Sequence, residues 1–472
     1  MSGIVAYGCY VPYWRLEKSA IRGVLGAGGG SGVRSVAGFD EDTTSMGVEA
    51  GRAALAGVPD GYVPDVVAFA TANPAYLDKT NAVTIHAALG LPGTTAAYDF
   101  IGAVRSAAGA MRLAQSSSLA TLVVTSDLRT GLPSSAEEAD SGDGAVAFAY
   151  SPTGTPLVEV VAEISSTEEF LDRWRTPGAK ASKVWEERFG EDAYLTLAQD
   201  VLAELFGKVI RADEVDHLIV AGLHARAVRG VVARSGVPKD RVASDLSERI
   251  GNTGAAQAGL ALANVLDQAS VGDVIVVITL ADGIDVTVYR ATAALEQYRR
   301  GRSSTLQQLL AASTGSVSYA AFLSWRGLLD RDPPRRPDPA TPAAPASLRH
   351  APWKFGYTAS RCEVCSTRHL PPSRVCFQCH AIDQMSSERL ADVAGTIATY
   401  TVDRLAFSPS PPLIAAVVNF DGGGRFPCEM TDVAPDEMHI GLRVDMTFRR
   451  FFTAPTGVHN YFWKARPVRE GE

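Results

Sequence analysis

Cys362, Cys365, Cys376 and Cys379 form two C-x-x-C pairs separated by ten residues. Each pair can turn two thiolates toward one ion, and four thiolates complete a closed tetrahedral Zn2+ shell. A closed shell leaves no position for substrate, so the spacing predicts a structural zinc ion and no chemistry at the metal. A dithiol redox site needs only one such pair in a thioredoxin-like setting, and iron–sulfur clusters use other spacings. His369 and His380 lie close by and are surplus to a four-cysteine shell.

The clustering of four of the six cysteines is unlike the even scatter of a secreted disulfide framework and points to a reducing compartment. The N-terminus carries no basic segment followed by an apolar one, and no stretch offers 18 uninterrupted apolar residues, so a soluble cytoplasmic protein without membrane partners is expected. A net charge of −8 and a pI near 5.6 argue against nucleic-acid binding, which needs a basic surface.

The elements that must position this cluster follow from pattern and length. At 472 residues the chain exceeds one typical core. The stretch DPPRRPDPATPAAPA, residues 332–346, holds six prolines, which exclude a helix or central strand and favour an extended linker. At ~3.1 Å per residue it would span roughly 45 Å. Before it, apolar strand-like runs alternate with helical patterns, as in an α/β domain. LATLVVTSD (119–127) followed by SGDGAVAFAYS (141–151) is echoed by VGDVIVVITL (271–280) followed by ADGIDVTVYRA (281–291), which predicts two similar halves. The Gly-rich LGAGGGSGVRS (25–35) lacks the Gly-Lys-Ser/Thr ending of a phosphate loop and is expected to be a mobile loop. After the cysteines, AGTIATYTV, LIAAVVNF, CEMTDV and VDMTFRRFF read as short strands of a small β-barrel, an OB-fold first among the candidates.

The knuckle RCEVCSTRHLPPSRVCFQCH and the barrel ending in TFRRFFTAPTGVHNYFWKARP resemble the rubredoxin-like zinc ribbon plus OB-fold module that accompanies thiolases and archaeal-type 3-hydroxy-3-methylglutaryl-CoA (HMG-CoA) synthases. FDEDTTSMGVEAGRAAL (39–55), YDFIGAVRSAAGAM (98–111), SGDGAVAFAY (141–150) and RIGNTGAAQAGLALA (249–263) resemble the thiolase superfamily, HMG-CoA synthase and ketoacyl synthase III above all. The resemblance implies a thiolase-like five-layered αβαβα sandwich of two α/β halves over residues 1–331, the linker 332–346, a zinc ribbon over 347–385 and an OB-fold over 386–472. It also implies a coenzyme A thioester as ligand, a module that helps form the channel for it, and at least a dimer.

Condensing enzymes of this kind place a cysteine at a strand-to-helix elbow, where the helix N-terminus favours the thiolate. By the register of the resemblance that position holds Val104, and Cys9, the only cysteine among the first 330 residues, reads as a buried structural residue. Ala221 falls where the family histidine stands, with His224 three residues on; His224 reads either as reaching substrate or as a surface histidine. The family glutamate would fall near Ala72. Asn252 matches an asparagine that holds the thioester oxygen. Asn252 and His224 are thus the candidate catalytic residues, and Ser106, Arg105 and Tyr76 the candidate substrate contacts, with Tyr98 a further candidate by position. Asp143 and Asp282 read as turn residues. Arg173, Trp174 and Arg175 read either as meeting an acyl-CoA phosphate or as a packed loop, and Trp463 and Lys464 as facing the interdomain interface.

Without a thiolate no acyl-enzyme forms. Three readings follow: a component of an acyl-CoA carbon–carbon bond forming or cleaving complex with a separate cysteine-bearing thiolase subunit; a stand-alone cysteine-independent aldolase or lyase acting on a β-hydroxyacyl-CoA; and a nonenzymatic scaffold or OB-fold binding protein.

Overall fold

Strands covered on both faces need apolar side chains at successive positions, and the runs read from the sequence supply them. The computed structural model describes residues 2–332 and 341–469. Its N-terminal part is built on β1 (Gly3–Tyr10), β2 (Val66–Thr71), β3 (Ala96–Ile101), β4 (Thr121–Leu128) and β5 (Asp143–Ser151), then β6 (Val158–Ser166), β7 (His217–Gly222), β8 (Val274–Leu280) and β9 (Ile284–Ala291). Their spatial order is β7-β8-β9-β6-β1-β5-β4-β2-β3.

The two halves repeat one topology. β2 runs parallel to β3 and β4, while β4–β5 and β5–β1 are antiparallel. β7 runs parallel to β8, while β8–β9 and β9–β6 are antiparallel. A lone pairing of Leu218 with Val242 stands where the first half has β3. The halves join where Ile4 pairs with Val158. The echo between residues 119–151 and 271–291 is therefore a repeat of structure, since β4–β5 and β8–β9 are the same antiparallel pair.

Helices α1 (Thr43–Leu55) and α2 (Ala82–Leu89) cover the first half, and α4 (Glu187–Glu204) and α5 (Ala225–Arg234) cover the second. Between the halves lie α3 (Arg105–Ser116) and α6 (Gln257–Leu266), each touching strands of both. The result is the five-layered αβαβα sandwich. Small buried side chains, Ala107, Ala110 and Ala114 of α3 and Ala261 and Ala263 of α6, let the middle layer sit against two sheets at once. No helix among the described residues is long and apolar enough to cross a membrane.

In the tail, β10 (Thr358–Cys362), β11 (Arg368–His369) and β12 (Met385–Arg389) form an antiparallel ribbon. β13 (Gly395–Asp403), β14 (Leu413–Phe420), β15 (Arg425–Glu429), β16 (Arg443–Thr453) and β17 (His459–Pro467) follow in the order β15-β14-β13-β16-β17. Met430 pairs with Ala465 and so brings the two ends of that order together, as in an OB-fold barrel. Two expected boundaries shift. The ribbon sheet runs to Arg389 rather than 385, because Met385–Arg389 pairs along its length with Thr358–Cys362. Of the linker, residues 333–340 lie outside the described residues, and its end is helical: a short helix spans Ala344–Arg349, with Pro345 in the first turn, where the missing N–H forfeits no bond.

The tail is not a free appendage. One apolar core runs from α1, α2 and the first half-sheet into the barrel, joining Met46, Ile85 and Val124 to Tyr357, Phe448 and Trp463. A buried ion cluster fixes the contact. Arg449 of β16, wholly buried, lies 2.6 Å from Asp432, 3.2 Å from Glu41 and 3.8 Å from Asp40. Lys464 bridges Asp40 at 3.0 Å and Glu429 at 2.9 Å, so the expected interface position of this residue is the observed one. Arg52 of α1 donates to the carbonyls of Met446 and Ala391 and pairs with Asp392 at 2.9 Å. Asp42 caps α1 by accepting from the Ser45 amide, and it accepts from Tyr461 Oη at 2.7 Å.

Removing one partner of a buried ion cluster strands the others without compensation. Arg449→Ala should lower the unfolding free energy by about 3–5 kcal/mol in chemical denaturation. Burial raises the Asp42 carboxyl, but the hydrogen bond with His459 and the charge of Arg450 outweigh it and hold the pKa down at about 2, against 3.8 for a free aspartate. A depressed pKa contributes stability that is complete above pH ~4 and lost as pH falls through ~2, about 2 kcal/mol in all. Asp42→Asn should remove that acid-dependent segment from a stability–pH curve.

Candidate functional site

The parallel strands of both halves end at one place. Ala72 after β2, Gly102 to Val104 after β3, Arg129 after β4, Leu223 after β7 and Leu280–Ala281 of β8 line a cavity of about 100 Å3. Ligands of open α/β sheets bind at such carboxyl ends, where chain connections diverge. The segment Asp172–Arg175, Ser182 and Tyr194 of α4 close it. Ala72, Gly102 and Arg175 also line an adjoining cleft of about 490 Å3, whose far wall carries Glu41, Asp42 and, from the tail, Arg450 and His459. Arg450 in turn borders a groove of about 660 Å3 between the two parts of the chain, flanked by Trp14, Phe39, Phe407 and Phe451.

Val104 occupies the cap position of α3 in the wall of the cavity and makes no side-chain cap. The amides of the first turn of α3 thus have no side-chain acceptor from that residue. Cys9 is buried on β1, with burial pushing its thiol up to about 12, which makes it an inert thiol as the sequence suggested.

The other candidates do not converge on this cavity. Ser106 lines a neighbouring space of about 500 Å3 between α3 and the second half-sheet, which shares Ala103, Val104 and Asp282 with the cavity. Arg105 faces the same space, and its guanidinium is engaged by Asp285 at 2.9 Å, the Asp282 carbonyl at 2.6 Å and Thr167 at 2.8 Å. Tyr76 Oη accepts from the His459 amide at 2.7 Å and fastens the tail. Asn252 donates to the Gly222 carbonyl at 2.8 Å and accepts from the Gly254 amide at 3.0 Å, splicing the end of β7 to the loop before α6. His224 is buried rather than on the surface, because it caps α5: Nδ1 accepts from the Ala227 amide at 3.1 Å, which leaves Nε2 to donate to the Glu187 carbonyl at 2.9 Å. Both ring nitrogens are spent on backbone.

Asp143 is a buried structural node, accepting from the amides of Ala37 and Arg129 and paired with Arg34 and Arg326. Arg173 pairs with Glu137 at 2.9 Å and Trp174 packs near Trp185, the packed-loop reading, yet Arg173, Trp174 and Arg175 also line the cavity. Sequence reasoning missed Asp172, Arg129 and Tyr194. Asp172 is 5% exposed, and burial raises its carboxyl pKa while His224 and Arg173 pull it back. Arg129 is held by Glu137 at 2.6 Å. No spacing motif marks these three; they meet only because the Asp172 segment folds over the strand ends.

The four cysteines converge as expected, all Sγ atoms lying within 4.8 Å of one another. Cys362–Cys379 and Cys365–Cys376 are 3.6 and 3.5 Å apart. Metal–sulfur bonds of about 2.3 Å in a tetrahedron imply S···S edges near ~3.8 Å, so the four thiols lie close to the spacing that one ion needs. The Gln378 and Cys379 amides point at Cys376 Sγ, supplying outer hydrogen bonds.

Residues 207–289 match the family described as 3-oxoacyl-[acyl-carrier-protein] synthase III C terminal, and residues 388–449 match the ChsH2 C-terminal OB-fold domain. The hydroxymethylglutaryl-CoA synthase of Aeropyrum pernix is 31% identical over 345 residues, covering 70% of this chain and 95% of that protein. The Picrophilus torridus enzyme of the same name is 26% identical over 357 residues, with 70% and 98% covered. Among solved structures, an HMG-CoA synthase complexed with CoA aligns with a TM-score of 0.56 at 17% identity, covering 68% of this chain and 89% of that one. The HMG synthase of the curacin biosynthetic pathway in complex with apo donor-ACP aligns with a TM-score of 0.59 at 18% identity, with 69% and 88% covered.

If His224 is a helix cap, the loss on substitution follows cap chemistry. His224→Ala should cost about 1 kcal/mol in denaturant melts and His224→Asn should recover most of it.

Proposed function

The chain belongs to the hydroxymethylglutaryl-CoA synthase family, and from that premise we propose that it makes or breaks a carbon–carbon bond beside an acyl thioester without forming an acyl-enzyme. The observation that carries this is Val104 at the head of α3, in the wall of the cavity at the strand ends, where the family resemblance places a nucleophilic cysteine. An isopropyl group cannot attack a thioester, so what remains is polarisation and proton transfer, the requirements of aldol addition or its reverse. The Ser106 and Ala107 amides donate to the Ala103 and Val104 carbonyls, so the head of α3 contributes through the positive end of its dipole, which favours a thioester oxygen that gains charge as an enolate forms. Arg129, Arg173 and Arg175 add positive field around the same cavity. In this reading Asn252 and His224 hold the strand ends and helix starts in place and do not carry protons. The aromatic groove that meets the cleft at Arg450 would admit the pantetheine arm, with the OB-fold as one wall.

A panel of β-hydroxyacyl-CoA thioesters, 3-hydroxy-3-methylglutaryl-CoA among them, should be cleaved to a carbonyl compound and an acyl-CoA, or the acyl-CoA should exchange its α-protons with deuterated water. Mass spectrometry should find no acyl group on the protein at any stage. A covalent acyl adduct would overturn the proposal.

A second reading, action together with a cysteine-bearing thiolase subunit, is favoured by the tip of the metal ribbon, where Val364, Phe377 and Ile382 are 60–76% exposed. The open edge of β3, with Tyr98 exposed, supports self-association into a dimer. A coexpressed thiolase subunit should copurify, and Phe377→Ser should release it.

We assign the four-cysteine site to Zn2+, which suits an all-thiolate tetrahedron and a cytoplasmic protein. When bound, the ion staples two knuckles and supplies no chemistry to the cleft. One equivalent of zinc per chain should be found by elemental analysis, and chelation should lower the melting temperature of the whole chain, because the tail and the condensing part share one core.

A further inference from the structure

The cavity at the strand ends contains a carboxyl group that the fold does not use. Asp172 is 95% buried, it lines the cavity, and its Oδ1 has no hydrogen-bond partner. Burying an unpaired carboxyl opposes folding. A second unfavourable feature makes room for it. Gly190 lies inside α4, where glycine weakens a helix, and a Cβ there would stand 2.1 Å from Asp172 Oδ1 and 3.0 Å from His224 Cδ2. Two local costs are thus tolerated to hold one acid group against the cavity.

Its surroundings suit proton transfer. Arg173 flanks it in sequence, and His224 faces it from the start of α5, turned so that its ring nitrogens bond to backbone. Tyr194 of α4, Asp282 of the β8–β9 turn, Arg129 and Arg175 line the same cavity, the Tyr194 hydroxyl accepting from the Asp282 amide at 3.3 Å. Burial raises the proton affinity of the carboxyl above that of a free aspartate, while His224 and Arg173 pull it back.

We propose that Asp172 is the proton-carrying catalytic residue of this cleft, acting on the β-hydroxyl group and α-carbon of a β-hydroxyacyl thioester. The inference rests on the acyl-thioester reaction proposed above. In the cleavage direction the carboxylate takes the β-hydroxyl proton. The freed O–H pair becomes the carbonyl π bond as the Cα–Cβ bond breaks, and the released pair moves into the thioester as an enolate. The enolate then takes the proton back from the Asp172 carboxyl at Cα. One proton makes a round trip, and no water, oxidant or metal enters the balance. Addition is the same path reversed.

Full-length wild type, Asp172→Asn and Asp172→Glu are compared on the panel of β-hydroxyacyl-CoA and acyl-CoA thioesters, reading cleavage, α-deuterium exchange and thermal melting. Asp172→Asn should melt at or above the wild-type temperature, since it removes an unpaired buried acid, and should lose roughly 10²–10⁴-fold in turnover and exchange with KM within a few-fold. The rise of wild-type activity with pH, as the carboxyl loses its proton, should vanish in the residual activity of that variant. Asp172→Glu should keep part of the activity. Turnover within about tenfold of wild type in Asp172→Asn would overturn the inference and leave the proposed reaction standing. Failure of Asp172→Asn to fold would show the carboxyl to be a structural group and overturn it too. Absence of both cleavage and exchange by wild type across the panel would overturn the proposed reaction and this role with it.

Discussion

A cluster of charges sealed from water joins the two parts of the chain, and much else depends on it. Arg449 and Lys464 of the barrel meet Asp40 and Glu41 at the head of α1 in a region where none of the four is more than 2% exposed. Such a cluster adds little net stability over an apolar contact of the same shape, because desolvation offsets attraction. It acts through intolerance of error: a small slip of the barrel would leave a bare charge in low dielectric. The contact therefore has one register, and the shared apolar core supplies the driving force.

That register also builds the site. Glu41 and Asp42 belong to the docking segment and line the cleft, and Arg450 and His459 close the same cleft from the barrel. The cysteine ribbon is tied in through its last strand. Arg389 bonds to the Gly356 carbonyl and pairs with Asp392, and Asp392 holds Arg52 of α1. A local staple of four thiols thus reaches the condensing half through one short chain of ion pairs.

Within the sandwich, two copies of one topology put five parallel-strand ends at one cavity. The middle helices are thin along their buried sides, which brings the halves close enough for residues of both to share a wall. At this place the chain carries an aliphatic residue at the helix head, three arginines and one unpaired acid. No cysteine stands among the residues that line the cavity.

The sequence by itself determined the four-cysteine cluster, because C-x-x-C pairs bring their own thiols together through local turns and need no distant contact. It also determined the layered fold, since both-face burial writes apolar runs such as 274–280 directly into the chain, and the duplicated order of runs shows the two halves. It located the strand-to-helix turn between Ile101 and Arg105 and the burial of Cys9. Only the tertiary structure decided which polar residues meet. Arg105, Tyr76, Asn252 and His224 are polar residues near the elbow or in family-like segments, yet their hydrogen bonds are consumed by backbone and docking contacts. Asp172 looked like one residue of a charged loop until the fold laid that loop over the strand ends and left its carboxyl without a partner. The reason is physical: backbone periodicity is local and repeats along the chain, whereas partnership between side chains is set by three-dimensional closure among segments as far apart as Tyr76 and His459, for which no local spacing rule exists.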